Sequence, residues 1–265
     1  MEMMLQGFSV ALLIFCRITA FFVAAPVFST PGVPRIFKIG LSVFISIIVY
    51  LSFGTEQVIP MDGAYVLLII KEILMGLLLG YIALLMITAI QTAGAFIDIQ
   101  IGFGIANVYD PMTGASAPLT GNLKYAFAML LFLTMNGHHR MLDAIVYSYN
   151  WVPLAGNDIF QAFADGSVAE LLMRAFAQAF MLAFQMAAPL VVALFMTDVG
   201  LGFLARTAPQ FNVFVIGVPL KIIVGLAMLL LIVPGFLYVF ENLFAVLFEA
   251  MQGVLEVVGQ EPLVR

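Results

Sequence analysis

Gln91-Thr-Ala-Gly94-Ala-Phe-Ile-Asp98-Ile-Gln100-Ile-Gly102-Phe103-Gly104-Ile-Ala-Asn107-Val-Tyr-Asp110-Pro111-Met112-Thr-Gly114-Ala-Ser-Ala-Pro118-Leu-Thr-Gly121-Asn122 is the one long interruption in a chain that otherwise reads as apolar helix after apolar helix. Glycines, prolines and single carboxylates break the backbone here. The flanking stretches reach the ~20 apolar residues that cross a bilayer. At that depth irregular backbone survives only where protein or a water-filled cavity satisfies its N–H and C=O groups. The stretch therefore predicts a loop that lines something, set between long membrane helices.

Composition supports the same class. Of 265 residues, 64% are hydrophobic and 9% charged, against roughly 45–50% and 25% in soluble domains. This is the composition of an all-α integral membrane protein, with long, kinked apolar helices and a central Gly/Pro-rich loop. Ten basic and 15 acidic residues give a net charge of −5, and the acids are scattered singly. That pattern offers no nucleic-acid footprint and no polybasic lipid anchor. One cysteine, Cys16, lies inside the first apolar segment. It excludes an intrachain disulfide and reads as a small buried hydrophobe. The start, Met1-Glu-Met-Met-Leu5, carries an acid where a secretory signal carries Lys or Arg, so the first apolar segment is expected to stay in the mature protein.

Taken in order, Leu5 to Val27 forms a first span with Arg17 near its middle. A mid-membrane charge costs at least ~2.5–3.5 kcal/mol on insertion scales, so Arg17 is expected to face a carboxylate, carbonyls or water, and a structural ion pair is the favoured reading. After the Pro31–Pro34 turn, Ile36 to Phe53 is the second span, entered by Arg35 and Lys38. The third begins near Ala64 and shows no strong stop before Gly94, longer than a bilayer core requires. Gly76 and Gly80 form a small-xxx-small ridge on it. Lys71 and Glu72, being adjacent and about 100° apart on a helix, are expected to find separate partners. Thr88, Gln91 and Asp98 share one face if the helix passes through Gly94.

Beyond the loop, Lys124 to Met135 resumes an apolar helix, stopped at Asn136-Gly137. His138, His139 and Asp143 follow, with spacing too poor for a metal site. Tyr147, Tyr149 and Trp151 resemble an interfacial aromatic belt. Ser167-Val-Ala-Glu170 reads as a capping box opening a helix through Pro189 to Thr197, where Arg174, Gln178 and Gln185 share a face. Asp198 leads to a second polar turn, Arg206-Thr-Ala-Pro209-Gln210-Phe-Asn212. Val213 to Phe236 is the last clear span, carrying Lys221, and Tyr238 to Val258 an amphipathic continuation.

No nucleotide loop, nucleophile elbow, zinc-protease motif or voltage-sensor array occurs. What remains suits a channel, a transporter or a subunit of a translocation machine. Two alternatives stay open: a secondary transporter with a midplane site of Arg17, Asp98 and Asp198, and a membrane enzyme acting through His138, His139 and Asp143.

At Thr92-Ala-Gly94 through Gly102, Asp110-Pro111, Phe132-Leu-Thr-Met-Asn136-Gly137-His138 and Arg206 through Leu220, together with Arg17, Pro26, Pro34, Gly76 and Gly80, the chain resembles the FliR family of type III secretion export-gate proteins. The match runs over nearly the whole length and in order. Ala95 departs from it, standing where an acid often follows Thr-Ala-Gly. The resemblance implies a non-enzymatic, cofactor-free subunit of the bacterial cytoplasmic membrane at the flagellar basal body. It implies assembly with FliP and FliQ around a conduit for unfolded flagellar substrates, with FlhB and FlhA as further partners, and the virulence apparatus as the alternative setting. It also implies a FliP-like part followed by a FliQ-like part, divided near residues 160–170 and folded as helical hairpins. The loop from Gly102 to Gly121 would plug the conduit, with Gly102, Phe103, Gly104, Asn107, Asp110, Pro111, Met112 and Gly114 as gating residues. Arg17, Gln91, Asp98, Gln100, Arg174, Gln178, Gln185, Arg206, Pro209 and Gln210 would serve as buried polar or assembly residues.

Overall fold

The computed structural model describes residues 2–30, 32–55, 57, 59–103, 119–156, 158–210 and 212–259, and no strand occurs among them. Among the described residues eight α-helices follow one another: α1 (Glu2–Ala24), α2 (Arg35–Val49), α3 (Tyr65–Ile101), α4 (Leu119–Thr134), α5 (Gly137–Trp151), α6 (Asp158–Ala164), α7 (Ser167–Thr207) and α8 (Val213–Val258). Among the described residues, five helical stretches are long and apolar enough to cross a membrane. The chain is an all-α membrane protein. At 37 residues α3 is about 55 Å long, well beyond a ~30 Å bilayer core, and it passes through Gly94 as the polar spacing requires. The last span and its amphipathic tail form one helix, α8, continuous through Pro219 and Pro234.

The described chain divides into two compact units, residues 1–86, 135–176 and 245–265 in the first and 87–134 and 177–244 in the second. In the first, α1 and α3 pack in parallel through the small ridge. A Cβ on Gly76 would lie 2.1 Å from the Arg17 carbonyl oxygen, and one on Gly80 would lie 2.8 Å from Ala24 Cβ. Both glycines are needed because the backbones approach more closely than any side chain allows. Serines tolerate the apolar helix α2 by bonding back one turn: Ser42 Oγ donates to the Lys38 carbonyl at 2.8 Å and Ser46 Oγ to the Ser42 carbonyl at 2.6 Å. A five-residue π-turn, Tyr50–Gly54, ends that helix, and a Cβ on Gly54 would meet the Tyr50 ring at 2.6 Å.

In the second unit α7 and α8 form an antiparallel hairpin. Leu201 faces Gly217 while Leu194, seven residues earlier, faces Gly225, eight residues later, with its Cδ2 3.8 Å from where a Cβ would stand. Gly225 also receives the Ile101 side chain of α3, whose Cδ1 would sit 2.9 Å from an added Cβ.

Three local expectations are corrected. Lys71 Nζ does lie near its neighbour, 3.4 Å from Glu72 Oε1: the long lysine stem overcomes the angular offset because both side chains enter the same buried space. Tyr149 belongs to no interfacial belt, being buried with its hydroxyl donating to the Ile14 carbonyl at 3.2 Å, while Tyr147 is exposed. The capping box at Ser167 does not form. Asp165 accepts the Ser167 amide at 2.9 Å and also its hydroxyl, and Glu170 turns instead to Arg174.

Candidate functional site

The central loop is described only at its two stems. On the first, α3 closes at Ile101 and Gly102 takes φ +100°, a left-handed cap that a side chain would strain. The amides of Gly102 and Phe103 both donate to the Asp98 carbonyl, at 3.1 and 2.9 Å. On the second, Thr120 lies in the first turn of α4, where helix amides have no partner within the helix. Its amide sits 3.3 and 3.2 Å from the two oxygens of the Asp98 carboxylate, and its hydroxyl lies 2.6 Å from Oδ1. The Gly94 carbonyl is also near that hydroxyl, at 3.0 Å. One hydroxyl proton serves one acceptor, and the shorter contact to a charged oxygen takes it. Asp98 therefore ties both stems together: its main chain caps α3 and its side chain sits on the positive end of α4.

Behind this clamp the helices cross at glycines. A Cβ on Gly94 would lie 2.0 Å from the Gly121 Cα and 2.3 Å from its nitrogen, so no side chain fits. At the loop end of α3, Gln100 Nε2 donates to Asp198 Oδ2 at 2.9 Å, and Lys221 Nζ pairs with Asp198 Oδ1 at 2.5 Å. This links α3, α7 and α8 beside the loop.

The first unit holds a separate polar cluster. Arg17, fully buried, clasps Glu72 with a two-pronged contact, Nε to Oε2 at 2.6 Å and Nη2 to Oε1 at 2.9 Å. Its remaining donors reach Ser148 Oγ at 2.9 Å and the Val152 carbonyl at 2.8 Å, and the guanidinium lies 4.1 Å from the Tyr149 ring centre. Lys71 donates to the carbonyls of Pro153 and Leu154. Three helices and the turn after α5 are thus held by one carboxylate and two cations.

The model of the bacterial export proteins, family 1, matches residues 8–247. The chain is similar to the flagellar biosynthetic protein FliR of Bacillus subtilis, with 43% identity over 98% of this chain and 99% of that one. It is 30% identical to the same-named protein of Escherichia coli over 90% of each chain. Similarity to Yop proteins translocation protein T of Yersinia pestis reaches 32% over 82% of each.

The chain belongs to the FliR family of bacterial export proteins.

Against that family's expected sites, the structure brings some residues together and leaves others apart. Asp98 and Gln100 join the second unit's network, Gln91 is half-buried on α3, and Arg17 belongs to the first unit's cluster. Arg174, Gln178 and Gln185 share an exposed face of α7, with Arg174 bound to Glu170 at 2.5 Å. Arg206, Pro209 and Gln210 are exposed at the α7–α8 turn. Of the gating set, Gly102 and Phe103 are placed at the stem, while Gly104, Asn107, Asp110, Pro111, Met112 and Gly114 lie outside the described residues. Each charge that a midplane ion site would use has its own partner: Glu72 for Arg17, Thr120 for Asp98, Lys221 for Asp198. The His138 and His139 rings touch in a tilted arrangement, with centroids 4.2 Å apart and planes at 48°. Sequence reasoning missed Glu72 as the partner of Arg17, and Thr120 as the partner of Asp98. The signal for the second was a hydroxyl at a helix start just beyond the loop, 22 residues from the acid it meets.

Proposed function

We propose that the chain is a non-enzymatic structural and gating subunit of the flagellar type III protein export gate. In this reading it assembles with FliP and FliQ around the conduit for unfolded flagellar substrates, with FlhA and FlhB as neighbours, in the bacterial cytoplasmic membrane at the basal body. The observation that carries the reading is the Asp98 clamp, which holds both ends of the loop from Gly102 to Gly121 by hydrogen bonds and close glycine packing. Such a stem keeps a loop in place and can release and re-form, as a gate must. The residues before and after about 160–170 act as a FliP-like part and a FliQ-like part. The flagellar setting is preferred over a virulence apparatus because the 43% relative covers nearly the whole chain, while the Yersinia relative supports the second setting at 32%.

The test is co-purification with tagged FliP and FliQ, followed by conductance of the assembled complex in planar bilayers. Deleting Val108 to Ala115 is expected to leave assembly intact and to raise ion leakage. No co-purification overturns the assembly. Unchanged conductance overturns the gating role.

A further inference from the structure

Within the second unit, α4 and α8 enclose an open groove of about 660 Å³. Leu123, Phe127 and Leu130 on α4 recur at i, i+4 and i+7, and Leu226, Leu230 and Val233 on α8 repeat the same spacing; all six are exposed. Two apolar stripes at helical period, facing each other across a trough, have the form that receives a third helix between them.

The floor of the trough is not apolar. Lys124 is 2% exposed there, and among the described residues no group accepts a hydrogen bond from its ammonium. It lies over the Phe236 ring, whose centre is 4.8 Å away. The Asp98 carboxylate, whose field reaches Lys124, is taken by Thr120 and makes no hydrogen bond to it. A buried, unpaired ammonium is among the most heavily penalised groups a fold can hold, and an opposite charge brought onto it relieves that penalty.

We propose that this groove seats an apolar helix of a partner subunit that places one Asp or Glu carboxylate on Lys124. The proposal rests on the reading that the chain works inside an assembly, and it adds the chemistry of one contact. Helix and carboxylate are favoured together by the layout. The cation lies beneath two apolar walls, so its partner must bury two oxygens on a short stem and cover the walls with apolar side chains. A phospholipid would instead have to draw a bulky polar headgroup under those walls, where Lys124 is the one charged residue of the described lining.

The experiment uses the complex purified from native membranes, with p-benzoylphenylalanine introduced in turn at Phe127 and at Leu230, two exposed positions outside the salt contact. Both are expected to cross-link to one helix of a partner chain carrying an Asp or Glu within a turn of the adduct. Lys124→Met is expected to lower recovered complex by about tenfold or more, because it strands the partner's carboxylate. Exchanging the charges, Lys124→Glu with the partner acid changed to Lys, is expected to restore it. Cross-links only to phospholipid or to a second copy of this chain overturn the proposal, and so does full recovery of the Lys124→Met complex. If the flagellar reading alone fails, the cross-linked chain will be a different protein, but it will still carry the acid.

Discussion

The two units treat buried charge in opposite ways. In the first, Arg17 is surrounded by acceptors: both oxygens of Glu72, Ser148 Oγ and the Val152 carbonyl, with Tyr149 packed on its face. In the second, the Asp98 carboxylate has a hydroxyl and a weakly placed amide, and Lys124 has an aromatic ring. A fully satisfied network rigidifies its surroundings, whereas a partly satisfied one favours whatever supplies the missing partner. On the proposed reading, the first unit would serve as an anchor and the second as the part that partners complete or move.

The comparison breaks first at Glu72. Glu72→Leu removes the carboxylate shared by two buried cations, Arg17 and Lys71, and is expected to cost about 3–5 kcal/mol. Arg17→Leu is expected to be milder, since Lys71 stays 3.4 Å from the remaining carboxylate. The double change Arg17→Met with Glu72→Leu is expected to recover much of the loss, as neither charge is then left alone. Thermal melting of the purified protein in one detergent checks the order. Equal losses for the two single variants would mean that Lys71 does not share Glu72.

In the second unit the largest effect is expected from Gly94→Ala. Its Cβ meets main chain at 2.0 Å, so α3 and α4 must separate, at about 1–3 kcal/mol. Thr120→Val keeps the shape and removes the hydroxyl from the Asp98 carboxylate, an expected loss of about 1–3 kcal/mol in the buried stem. Both should raise conductance through the assembled complex more than they lower its melting temperature. Arg17 variants should do the reverse, and a shared profile would erase the distinction between anchor and gate. A smaller effect is expected at Asp198, which is paired with Lys221 and 36% exposed. There Asp198→Asn should cost about 1 kcal/mol or less.

How much of this was readable depended on whether a feature is local. The overlong third helix and the Gly76–Gly80 ridge follow from residues a few positions apart and were legible, but the interruption read from Gln91 to Asn122 begins too early, because α3 stays helical through Gly94 to Ile101. Arg17 announced itself as a buried charge because nothing near it in sequence could solvate it. Its partner did not, because Glu72 is 55 residues away and several acids were equally eligible. Lys124 passed as an ordinary first-turn residue. Only the packing of α8 over it shows that it is buried. The exposed capping residues failed for another reason: Ser167 and Glu170 have the right spacing, but Asp165 lies two residues ahead and offers a charged acceptor to the same amide.

That cap supplies the smallest effect and sharpens the contrast within the first unit, between its buried anchor and its exposed rim. The Ser167 hydroxyl, then its amide, hold the Asp165 carboxyl below its ordinary value of 3.8. A depressed folded-state pKa means that the contribution to stability is present above the unfolded value and is lost as pH falls through the folded one. Acidification below about pH 4 should therefore loosen the start of α7, and Asp165→Ala should do the same at neutral pH. Amide exchange at Ser167 to Glu170 reads both. The expected change is confined to those few amides and leaves the Arg17 cluster protected, because an exposed cap is screened by water and ions. If Asp165→Ala instead accelerates exchange along α1 and α3, rim and anchor form one cooperative unit, and the contrast between satisfied core and independent edge is wrong.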